Sequence, residues 1–240
     1  MLDELRNHVL AANLEIAKAD LAKLTWGNVS GIDRESGLVV IKPSGVDYAQ
    51  LKAENLVIVD LDGKVVEGGF KPSSDTATHV RLYRAFPQIG GVTHTHSPCA
   101  TAFAQALREI PCLGTTHADH FLGSIPVTRN LTPEEIEADY EGNTGTVIIE
   151  RFLAAAPAID PMDMPGVLVA HHAPFAWGKN AKDAIKNAIA LEGVAEMALK
   201  TFALNPGMGS LPSHILRKHF NRKHGPGAYY GQGMDKAGHS

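Results

Sequence analysis

Two histidines separated by a single residue, His94 and His96, have the spacing in this sequence that most directly indicates chemistry. In a β-strand, residues i and i+2 point to the same face, so a strand over residues 91–95 would bring the two imidazoles side by side at its end. Neutral imidazoles are common ligands of divalent transition metals. The alternative is a pair of partly buried histidines hydrogen-bonded to their neighbours, and the second His pair described next favours the metal.

Further ligands follow from two other segments of the chain. His171 and His172 come directly after an apolar run at residues 166–170, which is typical of a buried strand. Asp75 stands at the predicted start of a helix that precedes the His94 strand. Three histidines and one carboxylate would suit Zn²⁺ or Mn²⁺ and leave coordination positions open for a substrate.

Three turns rich in small residues, at 27–30, 42–45 and 73–76, combine hydroxyl and amide donors in a way that could bind an anion. The third is expected to begin a helix, whose N-terminal N–H groups favour negative charge. Lys42 adds a positive charge to the second. Each turn taken singly is more often an ordinary turn or N-cap, but the three together would suit a phosphate group. No Walker signature supports binding of a nucleoside triphosphate.

Composition excludes several classes of protein. The 240 residues are 44% hydrophobic and 20% charged, which is enough apolar material for a sizeable core and excludes global disorder. The formal charge of −4 argues against a nucleic-acid binder, and no apolar run approaches the length of a membrane span. Charges occupy the N-terminal segment where a signal peptide would be apolar. Cys99 and Cys112 lack CxxC spacing. We therefore expect a cytoplasmic protein without membrane or nucleic-acid partners.

Periodicity and turn residues predict an α/β protein, a single three-layer α/β/α domain with a central mixed, mainly antiparallel sheet. Residues 1–233 are expected to form this domain and residues 234–240 a flexible C-terminal tail. The sequence Thr132-Pro-Glu-Glu is a capping box that predicts a helix start. Strands are predicted at residues 29–32, 38–41, 56–60, 64–66, 91–95 and 166–170. Helices are predicted at residues 2–24, 76–86, 98–107, from 133 onward, 145–155, 181–204 and 213–219.

The motifs in order along the chain carry a family resemblance. They read WGNVSG from residue 26, KPSGV from 42, PSSDT from 72, HTHS from 94, THADHF from 116, HHAPFAWG from 171 and KHGPGAYYGQ from 223. This series resembles the L-ribulose-5-phosphate 4-epimerase family of the class II, metal-dependent aldolase/epimerase superfamily. The resemblance extends over nearly the whole chain and implies the superfamily fold. It also implies inversion of C4 of L-ribulose 5-phosphate to D-xylulose 5-phosphate by retro-aldol and aldol steps.

The resemblance implies roles for individual residues. The metal, usually zinc in the family, would be held by Asp75, His94, His96 and His172. At the last position His171 is the alternative, and strand alternation would put the two side chains on opposite faces. Substrate and its phosphate would be bound by residues that match the family motifs: Gly27, Asn28, Lys42, Ser44, Gly45, Ser73, Ser74, Thr115, Glu141, His219 and Arg222.

Proton transfer is assigned by the same resemblance to Asp119 and to Tyr230, with Tyr229 as the one-residue alternative. In the family the tyrosine comes from a neighbouring subunit, which implies a homotetramer with active sites between subunits. Without the resemblance, Asp119 would be an ordinary loop carboxylate and Tyr230 a tail aromatic residue.

Three rivals to the epimerase remain open. One is a class II aldolase that cleaves fuculose 1-phosphate or a related sugar phosphate, in which a Glu commonly stands where this chain has Asp75. Another is an epimerase for a related phosphorylated sugar acid derivative, which shares almost every motif. The third is a non-catalytic scaffold such as the adducin head, which lacks the metal histidines that this chain retains.

Overall fold

The structure, a computed structural model, describes residues 2–226, 228 and 229. This part of the chain alternates short strands with helices. The strands are β1 (Asn28–Asp33), β2 (Leu38–Ile41), β3 (Val57–Val59), β4 (Val65–Glu67), β5 (Gly91–His94), β6 (Gly166–Leu168) and β7 (Pro174–Gly178). The α-helices are α1 (Asp3–Lys18), α2 (Thr76–Ala85), α3 (Pro98–Gln105), α4 (Thr115–Ala118), α5 (Pro133–Leu153), α6 (Ala181–Leu204) and α7 (Ser213–His224).

The seven strands form one sheet in the order β4-β3-β2-β1-β5-β7-β6. Every pair of neighbouring strands is antiparallel, and the parallel pairing is an isolated bridge between Val127 and Leu168. The prediction of a mainly antiparallel sheet in an α/β domain is therefore confirmed.

Both faces of the sheet are covered, because successive residues of its strands point into different hydrophobic cores. In β2, Val39 and Ile41 enter one core and Val40 enters the other. The first core is closed by α2, α3, α5 and the second half of α6. The second core is closed by α1 and the first half of α6. This arrangement is the three-layer architecture that the sequence predicts.

Capping residues in the sequence determine where the two longest helices, α5 and α6, begin. The Thr132 hydroxyl accepts a hydrogen bond from the Glu135 N–H, and the Glu135 carboxylate accepts one from the Thr132 N–H, so the predicted capping box is confirmed. The Asn180 side chain accepts from the Asp183 N–H, and α6 runs from Ala181 to Leu204 as predicted. No helix in the described part of the chain is both long enough and apolar enough to cross a membrane.

The structure corrects several boundaries. Helix α1 stops at Lys18, well before residue 24, because Asp20 adopts a positive φ of 52° that ends the helix. The segment predicted as a helix at 145–155 is the second part of α5, and α7 continues to His224 rather than stopping at 219. Strand β5 ends at His94 and β6 at Leu168, each shorter than predicted, and α4 and β7 have no counterpart among the predicted elements.

Candidate active site

Three neighbouring strands have their ends side by side along one edge of the sheet, the edge that is formed by strand ends and not by an outer strand. Because the pairing is antiparallel, β1 begins where β5 ends and where β7 begins. Asn28 lies opposite His94 in the first pair, and His94 lies opposite Phe175 in the second. Gly27, with φ of +80°, leads the chain into this edge, and a Cβ there would come within 2.8 Å of the His94 carbonyl oxygen. The backbone at the edge is therefore close-packed and specific for glycine at this position.

Three histidine rings meet at this edge. One ring nitrogen from each of His94, His96 and His172 lies within 4.8 Å of the other two. His94 Nε2 and His96 Nε2 are 3.1 Å apart, close to the spacing of about 3.3 Å between two nitrogen ligands of a tetrahedral zinc ion. The cluster can therefore bind one divalent cation.

The protonation of the rings suits metal ligands. His94 Nδ1 donates to the Pro174 carbonyl oxygen at 3.0 Å, which leaves Nε2, the nitrogen 3.1 Å from His96, as the one that can bind a metal. Burial and the neighbouring His94 ring lower the pKa of His96 to about 4 and that of His172 to about 3. His172 Nδ1 is buried without a hydrogen-bond partner among the described residues. A cation between the rings would make use of these neutral donors, so the residues fit the metal that the family resemblance implies.

The choice between His171 and His172 depends on a turn rather than on strand alternation. Because β6 ends at Leu168, neither residue is in a strand, which corrects the reasoning from the sequence. His171 has a positive φ of 59° and an exposed side chain, and its N–H donates to the Ala104 carbonyl. The ring that joins His94 and His96 is that of His172.

The Asp75 carboxylate lines the same cleft as the histidines and hydrogen-bonds to Asn28 instead of capping its own helix, but it is not among the groups whose ligand atoms lie within 4.8 Å of one another. Asp75 occupies the N-cap position of α2 but accepts no capping hydrogen bond from that helix. Its Oδ2 accepts from Asn28 Nδ2 at 2.6 Å. Burial alone would raise the pKa of Asp75, but the His94 and His79 rings and the Asn28 hydrogen bond hold it below its ordinary value. The group is therefore an anion beside the cluster.

The second and third anion-binding turns are fastened to each other. Their backbones pair through an isolated bridge between Pro43 and Pro72, and the Ser73 N–H donates to the Lys42 carbonyl at 3.0 Å. Asn28 Nδ2 also donates to Ser73 Oγ at 3.1 Å, which ties the first turn to the third. The Lys42 side chain is only 2% exposed, and its burial lowers the pKa of the ammonium, an effect that Asp47 opposes. An anion at the turns would offset the cost of burying this cation.

The turns, Asp75 and the three histidines line a single cleft of about 380 Å³. The cleft therefore brings together a cation-binding cluster and an anion-binding cluster, a combination that suits a small phosphorylated molecule. The predicted site residues along it are Gly27, Asn28, Lys42, Ser44, Gly45, Ser73, Ser74, Asp75, His94, His96, Glu141 and His172.

Four further residues that were not predicted as site residues line the cleft: Thr25, Trp26, Pro43 and Tyr140. The Trp26 ring lies 6.0 Å from the His96 ring, and the Tyr140 ring lies 6.1 Å from the His172 ring. Trp26 belongs to the WGN segment and enters the prediction only as part of that motif. Tyr140 has no local signal, because its position depends on an irregularity inside α5.

Three of the remaining predicted residues, Asp119, His219 and Arg222, form a second cluster. The Asp119 carboxylate accepts hydrogen bonds from Arg222 Nε at 2.9 Å and from His219 Nδ1 at 3.1 Å, and Lys223 Nζ lies 3.6 Å away. His224 Nε2 bonds the Asp119 carbonyl at 2.9 Å. Burial alone would raise the pKa of Asp119, but Arg222, His219 and Lys223 hold it below its ordinary value. These bonds fasten α7 to the end of α4.

The Asp119 cluster lies apart from the histidine cleft within one chain. Among the described residues, neither Asp119 nor its partners line that cleft. Thr115, at the exposed start of α4, contributes its carbonyl to the Asp119 N–H. Tyr230 lies outside the described residues, whereas Tyr229 is exposed and has the Lys218 ammonium 5.5 Å from its ring centroid. One chain therefore does not unite all the predicted site residues.

The fold and the histidine cleft define the class of the protein. Residues 7–199 match the family model described as class II aldolase and adducin N-terminal domain, and the chain belongs to this family.

Relatives and solved structures narrow the class. The chain is 54% identical over 231 residues to the L-ribulose-5-phosphate 4-epimerase UlaF of Salmonella paratyphi C (strain RKS4594). The alignment covers 96% of this chain and all of the relative. UlaF of Salmonella typhi matches at the same identity and coverage. The fold is similar to that of an L-fuculose 1-phosphate aldolase, with a TM-score of 0.71, 26% identity and coverage of 91% of this chain and 95% of that one.

Proposed function

We propose that this protein is a metal-dependent epimerase that inverts C4 of L-ribulose 5-phosphate to give D-xylulose 5-phosphate. The observation that carries the proposal is a single cleft lined by the cluster of three histidines, by Asp75 and by the paired serine and glycine turns. The proposal is also supported by relatives: this chain is 54% identical, over their full length, to proteins named L-ribulose-5-phosphate 4-epimerase.

The reaction needs cleavage of a carbon–carbon bond. The C4 hydrogen of the ketopentose phosphate is not α to the C2 carbonyl, so simple deprotonation would produce an unstabilised carbanion. Breaking the C3–C4 bond instead gives a dihydroxyacetone fragment and glycolaldehyde phosphate. If the aldehyde turns its other face before the bond re-forms, C4 is inverted.

We assign the metal to His94, His96, His172 and Asp75, with Zn²⁺ as the physiological ion and Mn²⁺ as the alternative. A bound divalent cation would supply Lewis-acid stabilisation of the negative charge on the oxygens of the three-carbon fragment. The neutral state of His96 and His172 and the buried Nδ1 of His172 support this assignment. Nitrogen donors with one carboxylate are typical of zinc.

The turn residues bind the phosphate of the substrate. Ser44, Ser73 and Ser74 can each donate a hydroxyl hydrogen bond, and Gly45, with φ of +68° and no atom within 4 Å of a Cβ position, leaves its backbone open to a ligand. Lys42 contributes charge from the buried side. By holding the phosphate after C3–C4 cleavage, these residues keep the aldehyde fragment in the cleft until it recombines.

Asp119 and Tyr230 exchange the proton of the C4 hydroxyl, one serving each epimer. Since the Asp119 cluster lies outside the cleft of its own chain, we propose that it meets the cleft of a neighbouring subunit, with Thr115, His219 and Arg222 beside it. A homotetramer with active sites between subunits satisfies this requirement.

We further propose one domain over residues 1–233 with a C-terminal tail, and a cytoplasmic location. The unpaired Cys99 and Cys112 are compatible with that location.

A substrate panel with and without a chelator tests the function. L-Ribulose 5-phosphate and D-xylulose 5-phosphate are expected to interconvert, activity should disappear with the chelator and return with Zn²⁺, and His96→Asn should lose turnover. Stoichiometric release of aldehyde would indicate the aldolase instead, and preference for a sugar acid phosphate would indicate the related epimerase. Full turnover by His96→Asn would contradict the assignment of this residue.

A further inference from the structure

Tyr140 is the one tyrosine among the described residues that line the histidine cleft. Its ring lies 6.1 Å from that of His172, at an interplanar angle of 43°, and the side chain remains 38% exposed. A polar aromatic residue whose ring approaches a metal-ligand candidate while its surface stays open to the cleft can contact a bound substrate.

A break inside α5 sets the position of Tyr140. Asp139 has φ of −168° and ψ of 84°, outside the helical range, and its Oδ1 accepts from the Gly142 N–H at 3.0 Å. Asp139 thus acts as an N-cap within the helix, and Tyr140 and Glu141 become the first residues of the segment that follows. Both of these residues line the cleft.

The break is fastened to α2, the helix whose N-cap residue is Asp75. From α2, Arg81 Nη2 donates to Asp139 Oδ2 at 2.8 Å, and the Thr78 hydroxyl donates to the Glu141 carbonyl. A Cβ on Gly142 would lie 1.9 Å from Asp139 Oδ2, so a glycine there allows the capping geometry. Tyr140 is consequently held on the same framework as the carboxylate of the proposed metal site.

The charges around the phenol favour a hydrogen-bond donor. A tyrosine ordinarily has a pKa near 10, and burial, together with the negative charges of Asp75 and Glu141, raises the pKa of Tyr140 further. An ordinary phenol is protonated at neutral pH, so the Tyr140 hydroxyl has a proton to donate in a hydrogen bond.

We propose that Tyr140 is a further catalytic residue, whose hydroxyl donates a hydrogen bond to the substrate oxygen on which negative charge develops as C3–C4 breaks. This inference rests on the proposed function. The electron pair of the broken bond passes into the three-carbon fragment, and the proton of the C4 hydroxyl passes to the separate acid–base group. Tyr140 retains its own proton throughout, and its donation strengthens as the charge grows.

Tyr140→Phe removes the hydroxyl and keeps the ring, and it is compared with wild type in steady-state epimerisation. We expect kcat to fall about 10- to 100-fold while KM changes less than about threefold, because the lost bond is strongest in the transition state. Metal content and thermal midpoint should match the wild type. Ile136→Ala, at an exposed position of α5 that does not line the cleft, is the control and should keep full activity.

The possible outcomes distinguish a failure of the role proposed for Tyr140 from a failure of the proposed function. If wild type interconverts the pentose phosphates but Tyr140→Phe has kcat within twofold of it, Tyr140 has no catalytic role and the proposed function stands. The same conclusion follows if only KM rises, or if the lower kcat accompanies loss of metal or stability. If wild type shows no metal-dependent epimerisation, the proposed function fails and this inference fails with it.

Discussion

At His171 and His172, neighbouring residues of the same type have opposite surroundings. The positive φ of His171 turns the backbone so that its own ring is exposed, while the next ring joins His94 and His96. Residue type and approximate spacing identify the pair, but the turn decides which member can be a ligand. This turn could not be foreseen, since a non-glycine residue with positive φ is uncommon and leaves no clear pattern in a sequence.

The Asp119–Arg222 pair gives a prediction about pH. Arg222 helps to hold the pKa of Asp119 below its ordinary value, so Asp119 stays ionised at lower pH and can act as a base there. In Arg222→Ala this pKa should rise, and the acidic limb of the kcat profile should move to higher pH. Measuring kcat against pH for the epimerisation direction limited by that base checks the prediction.

Two further variants control this measurement. Arg222→Lys keeps a cation without the paired donors and should give a profile between those of wild type and Arg222→Ala. Arg217→Ala, exposed on the same helix, should leave the profile unchanged. An acidic limb in Arg222→Ala that coincides with that of wild type would show that Asp119 does not determine it.

At the scale of elements, the sequence predicts those whose ends have their own chemistry. Asn180 and the Thr132–Glu135 capping box identify the starts of α6 and α5, because side chains there satisfy the N–H groups of the first turn. Strand β7 escapes prediction because it is only five residues long and begins with Pro174, a residue that is more typical of turns than of strands. The four-residue α4 begins at Gly114 without a side-chain cap.

The break in α5 gives a prediction about stability. In Gly142→Ala, the new methyl group would displace the carboxylate of Asp139 and the guanidinium of Arg81, and the cap within the helix would be lost. We expect the free energy of unfolding to fall by about 1–2 kcal/mol. Urea denaturation monitored by circular dichroism measures it.

Gly193→Ala is the matched control, since Gly193 lies inside α6 with no atom within 4 Å of its Cβ position. Here the methyl group enters open space and removes the backbone freedom of glycine, so stability should rise by about 0.5–1 kcal/mol. Equal effects of the two substitutions would mean that the contact between α2 and α5 does not depend on Gly142.

At the scale of the whole molecule, the structure unites segments that are far apart in the sequence. The cleft combines the start of β1 and the end of β5 with the turns that follow β2 and precede α2 and β7, and with two residues of α5. Antiparallel pairing explains why the start of β1, the end of β5 and the turn before β7 coincide. The motifs anticipate most of its members, but the separation of Asp119 from His94 and His172 depends on the complete path of the chain. This separation is why we propose that a neighbouring subunit completes the active site.

In the proposed function, three histidine rings from two distant segments bind one divalent cation on which turnover depends. Metal analysis and epimerisation assays of wild type, His172→Asn and His171→Asn, each purified with Zn²⁺ present, measure whether they do. We expect about one metal ion per chain and full activity in wild type and His171→Asn, and loss of both metal and activity in His172→Asn. A His172→Asn protein that keeps its metal and its turnover would contradict the proposed function.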